Sequence, residues 1–448
     1  MRIVFSTPTW IISGVNSFTL NLMRELQHRG HDVELLVIRQ GDAEAPELPW
    51  PNDVSVKFLE WNREQSWWMA RWEALRDYLQ ASTPTVYFPN YDFENSSVAP
   101  ALRNEVGVIG IVHSDDPHHY EHVQRLGRYW NAVISVSSFL HANTLRLDRA
   151  LDDRAFHVPY GVRHDSAPPL SHRRGLETIR IVFSGRFNEE QKRVSDLAKI
   201  GHGLKQRGVP FHLTLIGNGP SEVDLKAAVQ PLVDQGCVDF PAPMINDEIL
   251  PLYVDYDCFV LTSNYEGLPV ALLESMARGC IPIVTDLASG VPDVIRHDEN
   301  GFILPRGDIA SFLECLDRLQ KDRGRRQLVS DRAFKTIATG PFGIDSVVDR
   351  YDEVIDFVRR NIEVGHYIRP KPFRPNGWAG DFMPPAALQI SPDAYYSLKW
   401  QNNRQAQELA ALKQQLSAAE ASSFEYVLQS KVSLFRRLLG APRRSSYR

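Results

Sequence analysis

The chain is 448 residues long, which at roughly 150 residues per folding unit leaves room for two or three domains. With 43% hydrophobic and 23% charged residues it reads as an ordinary globular sequence, excluding wholesale disorder, collagen-like repeats and a multispan membrane protein. A formal net charge of −5 gives no global argument for nucleic acid as a partner.

Cys237, Cys258, Cys280 and Cys315 form no CxxC pair, which argues against a disulfide scaffold or a structural zinc site. The N-terminus lacks the basic region, long apolar stretch and small-residue cleavage site of a signal peptide. No window approaches the roughly 20 apolar residues of a membrane span. The expected location is cytoplasmic, with any membrane contact peripheral on the inner face.

In chain order, Arg2–Ser6 is a short β-branched and aromatic run. A loop with Pro8 and Gly14 follows, then Phe18, Leu22 and Leu26 at helical spacing, then Gly30 and a second run from Val33 to Ile38. That is a β-loop-α-β unit. Val86–Pro89, Val108–His113 and Ala132–Ser137 read as further buried strands, so the pattern predicts one doubly wound domain over 1–165. After a polar, Pro-containing linker the theme starts again, with strands expected at Ile179–Ser184, His212–Ile216, Cys258–Thr262 and Ile281–Val284. Helices are expected at Val194–Lys205 and Pro269–Arg278, which gives a second α/β domain over 178–345.

A further amphipathic helix runs from Asp345 to Asn361. Beyond it a Pro- and aromatic-rich linker, 362–394, reads as no core element, and a helical tail spans 395–448. Leu409, Leu412, Leu416 and Ala419 fit either a short coiled-coil seam or a lone solvated helix. Phe424, Leu428, Val432, Phe435 and Leu439 form an apolar stripe beside Lys431, Arg436 and Arg437. The stripe suits an anionic membrane surface or a partner helix, with an untethered tail as the alternative. Residues 424–448 carry a net +5 and leave −10 for the rest of the chain. Trp61, Trp67, Trp68 and Trp72 crowd one segment, as core or as a surface for a lipid-linked acceptor.

The segment Ser263–Pro282 carries the most chemistry. It follows a predicted strand, turns at Gly267, places Pro269 where a helix begins and stops at Gly279. A helix N-terminus approached by glycine suits a phosphate or diphosphate. Glu266 and Glu274, eight residues apart and so up to ~12 Å along a helix, would repel phosphate but accept hydrogen bonds from hydroxyls. A nucleotide sugar fits that layout; a capped surface helix with two solvated glutamates is the alternative.

These residues resemble a known family. The E-x7-E element from Glu266 to Glu274, the pair Gly185-Arg186 after a strand, Lys192 six residues further on and the Ile-Gly-x-Gly turn from Ile216 to Gly219 look like the retaining GT-B glycosyltransferases of family 4. The resemblance implies a GT-B α/β fold: two Rossmann-like doubly wound domains facing a cleft, with the acceptor on the N-terminal side and the nucleotide sugar on the C-terminal side. It implies that residues 346–361 cross back onto the N-terminal domain. Arg186 and Lys192 would hold the donor diphosphate. Glu266 would meet the sugar hydroxyls, Glu274 the ribose, and the backbone of Gly267, Leu268 and Pro269 the sugar and phosphate. Gly185 and Gly217 would belong to the same binding loops, and Pro241–Ile245 would hold the base.

On the N-terminal side Gly14 stands where the family has a glycine-rich loop, either for close approach to sugar or phosphate or as a plain turn. His113 stands where the family has a histidine near the reaction centre. Asp255-Tyr256-Asp257 precedes a strand rather than following one, and Asp115-Asp116 reads as solvated or acceptor-facing, so no metal or other cofactor is expected. The expected partners are a nucleotide-diphosphate sugar donor and a glycan or lipid-linked glycan acceptor, as in surface polysaccharide biosynthesis. A small-sugar synthase of the same fold and a non-catalytic scaffold in a polysaccharide assembly complex are the rival readings.

Overall fold

The computed structural model describes residues 1–7, 10–38, 49–61, 67–90, 93–165 and 177–370. The tail, its coiled-coil seam and its apolar stripe lie outside the described residues, as do the side chains of Trp67 and Trp68. Trp72 is buried in the first domain, as core.

The first sheet has seven strands: β1 (Arg2–Thr7), β2 (Asp32–Val37), β3 (Ser55–Phe58), β4 (Thr85–Phe88), β5 (Val106–Val112), β6 (Ala132–Ser135) and β7 (Ala155–His157). Their order is β3-β2-β1-β4-β5-β6-β7, and all pairings are parallel. The second sheet has six: β8 (Ile179–Ser184), β9 (Phe211–Ile216), β10 (Val238–Asp239), β11 (Cys258–Leu261), β12 (Ile281–Thr285) and β13 (Phe302–Leu304). Its order, β10-β9-β8-β11-β12-β13, repeats that of the first sheet, again parallel throughout. Central strands such as Val106–Val112 and Cys258–Leu261 are buried at every position, because helices cover both faces.

The predicted strands fall within a residue or two of the observed ones. The four not predicted, β3, β7, β10 and β13, are the edge strands of the two sheets, two to four residues long and less fully buried than the central ones.

The last long helix, Ile344–Glu363, starts beside the second domain and returns to the first sheet. A side chain at Gly107 on β5 would collide with Val358 and Ile362 of this helix, so the missing Cβ lets helix and strand meet. Tyr351 is buried against Phe18 and Phe88, with ring centroids 6.0 and 6.2 Å away. His31 and Arg29, at the end of the opening helix Gly14–His28, bond to Asp352 at 3.0 and 2.8 Å.

One residue of the stretch read as a linker, Arg369, belongs to the core after all. Arg369 is only 6% exposed. Its guanidinium donates to the carbonyls of Tyr129 (3.0 Å), Leu102 (2.8 Å), Arg103 (2.7 Å) and Val106 (2.7 Å), and to Oδ1 of Asn131 (3.0 Å). These acceptors are dipoles rather than a carboxylate, and burial pushes the guanidinium pKa down to about 10. A planar fork of five donors is what gathers carbonyls at the ends of several elements at once. Arg369→Met is expected to lower unfolding free energy by about 3 kcal/mol, because the orphaned carbonyls lose their donors, with no rescue by Lys. Urea unfolding checks this, and a wild-type midpoint in the Met variant would remove the clamp from the account.

Candidate active site

Open α/β sheets bind ligands off the carboxyl ends of their strands, where the strand order reverses. Here those points lie between β1 and β4 in one sheet and between β8 and β11 in the other. Both border a single cavity of about 370 Å³. Gly14, His113, Gly185, Arg186, Lys192, Gly217, Glu266, Gly267, Leu268, Pro269 and Glu274, scattered over 260 positions of sequence, all line it. Pro243 and Met244, from the expected base loop, line it as well.

On the first domain the opening helix is capped by Ser13, whose hydroxyl accepts from the Asn16 amide at 3.2 Å. The Asn16 side chain donates to the Ile11 carbonyl at 2.9 Å and folds the loop under the helix. At Gly14 a Cβ would lie 3.3 Å from Val270 Cβ. This glycine thus brings the loop against the other domain while it also lines the cavity.

His113, just past β5, is buried. Nε2 faces Asn90 Oδ1 at 2.7 Å and Nδ1 faces the Tyr160 hydroxyl at 2.5 Å. Asn90 turns its amide nitrogen to Thr19 Oγ1, which leaves its oxygen for the ring and assigns the proton to Nε2. Burial holds the imidazole well below its usual pKa, so it stands in the cleft wall as a neutral ring.

On the second domain the cations and carboxylates meet. Lys192 Nζ lies 2.6 Å from Glu266 Oε1, which also accepts from the Ser263 hydroxyl at 2.6 Å. An ammonium has three donors, so Lys192 keeps capacity for a further oxygen. Arg186 is exposed on the cavity rim. Glu274 sits on the short helix Val270–Met276, whose N-cap is Pro269. Its carboxylate accepts from the Asn246 amide, and burial pushes its pKa up to about 7.

Gly217 has φ +152°, and a side chain there would strike the carbonyl oxygen of Gly185. Only glycine lets the β8 and β9 loops touch in this way. Asp257, in the D-x-D sequence, accepts from the Arg180 amide at 2.9 Å and lies 3.6 Å from Arg326, a strand support. Among the described residues no group of acidic, His or Cys side chains has the geometry to hold a metal.

Further contacts join the domains at the cavity. A Cβ at Gly267 would strike the His113 carbonyl oxygen. Asp293 accepts from the amide of Ser138 at 2.8 Å and from its hydroxyl, at the N-terminus of helix Ser138–Leu147, a favourable place for a carboxylate. Between them, Gly290 N–H donates to Gly267 O at 2.5 Å. Asn246, Asn90, Tyr160 and Asp293 carry no local sequence signal; Ser263 could have been found, being three residues before Glu266.

Two parallel Rossmann-like sheets sharing one cleft define the GT-B glycosyltransferase fold. The family description "Glycosyltransferase Family 4" matches residues 12–166 and "Glycosyl transferases group 1" matches 171–336. The chain belongs to this glycosyltransferase family. The Escherichia coli K12 protein WcaL, named as a colanic acid biosynthesis glycosyltransferase, is 24% identical over 363 residues, 68% of this chain and 88% of that one. The amylovoran biosynthesis glycosyltransferase AmsK of Erwinia amylovora is 36% identical over 151 residues, 32% of this chain and 37% of that one. Among solved structures, HepE of Anabaena in complex with UDP superposes with TM-score 0.61 at 15% identity, covering 80% of this chain and 100% of that one.

Two outcomes follow. The folded state holds a proton on Glu274 between its unshifted pKa of 4.5 and about 7, so that contribution is full below 4.5 and is lost as pH rises to 7. Glu274→Gln keeps an oxygen for Asn246 and cannot ionise. Its melting temperature should exceed wild type at about pH 8 and converge with it at about pH 4, and parallel melting curves would refute the burial argument. Asp293→Ala should cost only a few degrees of melting temperature yet increase the radius of gyration in small-angle scattering. An unchanged radius would show that this contact does not hold the domains together.

Proposed function

We propose that the cavity binds a nucleotide-diphosphate sugar and that the enzyme transfers the sugar to a glycan or lipid-linked glycan acceptor with retention of anomeric configuration, in surface polysaccharide biosynthesis. The observation that carries this reading is the convergence of Arg186 and Lys192 with the buried carboxylates Glu266 and Glu274 in one cleft between two Rossmann-like domains. The cations suit a diphosphate, and the carboxylates suit hydroxyls on either side of it. WcaL and AmsK are named for polysaccharide biosynthesis, and HepE was solved with UDP, which supports the substrate class.

In this reading the bond from the sugar's C1 to the diphosphate oxygen breaks while the acceptor oxygen bonds to C1 on the same face. The acceptor's proton ends on the departing diphosphate, whose charge Arg186 and Lys192 stabilise. Glu266, held by Lys192 and Ser263, orients the sugar, and neutral His113 bounds the pocket without taking the proton. The reaction needs no divalent ion. The work is done at the cytoplasmic side, with 395–448 as the contact to an anionic membrane surface or a partner helix; that part rests on the amphipathic, basic sequence of the tail.

A panel of nucleotide sugars, scored by thermal shift with and without EDTA and by slow donor hydrolysis, tests the reading. At least one donor should stabilise the protein whether or not EDTA is present. Glu274→Ala and Arg186→Ala should each weaken binding about tenfold or more, the worth of a lost charge-assisted hydrogen bond. No stabilisation by any donor, or wild-type binding in both variants, would reject the site.

A further inference from the structure

A second cavity, of about 220 Å³, lies beside the first and shares Ser17 and Asn246 with it. Both domains build it: Asn21 and Arg24 from the opening helix, Trp50 and Asn52 from the loop before β3, and Asp247 from the start of the helix Asn246–Leu252.

The side chains are chemically specific. Asn21 is only 8% exposed, and among the described residues its amide has no hydrogen-bond partner in the protein. An amide that buried, opening on a cavity, has two donors and an acceptor to offer a ligand. Trp50 is held in place: Phe58 meets its ring edge-on at 5.0 Å and 80°, and Trp10 Nε1 donates to the neighbouring Pro49 carbonyl at 3.3 Å. Arg24 is occupied by Asp53, with bonds of 2.7 and 3.3 Å, so its charge is already matched.

An aromatic face, neutral amides and one carboxylate, with the cation neutralised, do not suit a phosphate or an acyl chain. They suit an uncharged ring bearing hydroxyls, whose C–H face lies on the indole and whose hydroxyls bond to the amides and to Asp247. The position along the helix sets which sugar this would be. Asn21 lies seven residues beyond Gly14, so about 10 Å down the axis from the end that faces the main cavity.

Resting on the reading of the main cavity as the transfer site, we propose that the second cavity is a saccharide subsite holding a non-reacting sugar residue of the acceptor. Trp50 supplies the stacking face, and Asn21, Asn52 and Asp247 supply the hydrogen bonds. Because its walls belong to both domains, the subsite is complete only when they are together.

Saturation-transfer NMR with methyl glycosides of glucose, galactose, mannose and N-acetylglucosamine tests it, on full-length wild type, Trp50→Ala, Trp50→Phe and Asn21→Ala. At least one probe should bind wild type. Trp50→Ala and Asn21→Ala should each weaken that probe about tenfold, as expected for a lost stacking face or hydrogen bond, while Trp50→Phe retains most of the affinity. Melting temperature and the shift induced by nucleotide should stay at wild-type values in all three variants. The proposal falls if no glycoside binds wild type, or if the variants bind as wild type does. It also falls if they weaken the nucleotide shift instead, which would assign the cavity to the donor. Trp50-dependent sugar binding in a protein that no nucleotide sugar stabilises would overturn the donor reading and leave the subsite standing.

Discussion

The structure depends on how closely two strand ends can approach across the cleft. Gly267 faces the carbonyl of His113 with no room for a side chain, and at Gly14 a Cβ would crowd Val270 at 3.3 Å. Each glycine removes the one atom that would hold the domains apart. Several groups that line the cavity sit within a few residues of these contacts: Glu266 beside Gly267, His113 itself, and the first turn of the opening helix. A displacement here would be passed on directly, because the interior is close-packed and does not deform smoothly.

Electrostatics makes the second demand. Two buried carboxylates in one cavity are costly unless each has a partner. The protein gives them different ones. Glu266 receives a cation and a hydroxyl, whereas Glu274 receives a neutral amide and a pKa near 7. Similar residues in one motif are thus given different surroundings.

Much of this could be read from the sequence, and the limits have physical causes. The repeated β-loop-α-β pattern and the Ser263–Pro282 segment located both sheets and the second-domain half of the site, because buried parallel strands are continuous apolar runs and the motif residues are close in sequence. The edge strands β3 and β10 were missed, being short and partly exposed. Gly14 was visible, but what it approaches was not, since Val270 lies more than 250 positions away. Arg369 was misread because it stands among prolines, while its acceptors are backbone carbonyls, which no sequence displays.

That arginine also decides how the second domain is held in the chain. Arg369 is bonded to five groups of the first domain. The second domain is therefore enclosed in sequence between two segments that pack on the first, residues 1–165 before it and the helix Ile344–Glu363 with Arg369 behind it, so it cannot part from the first domain without straining both.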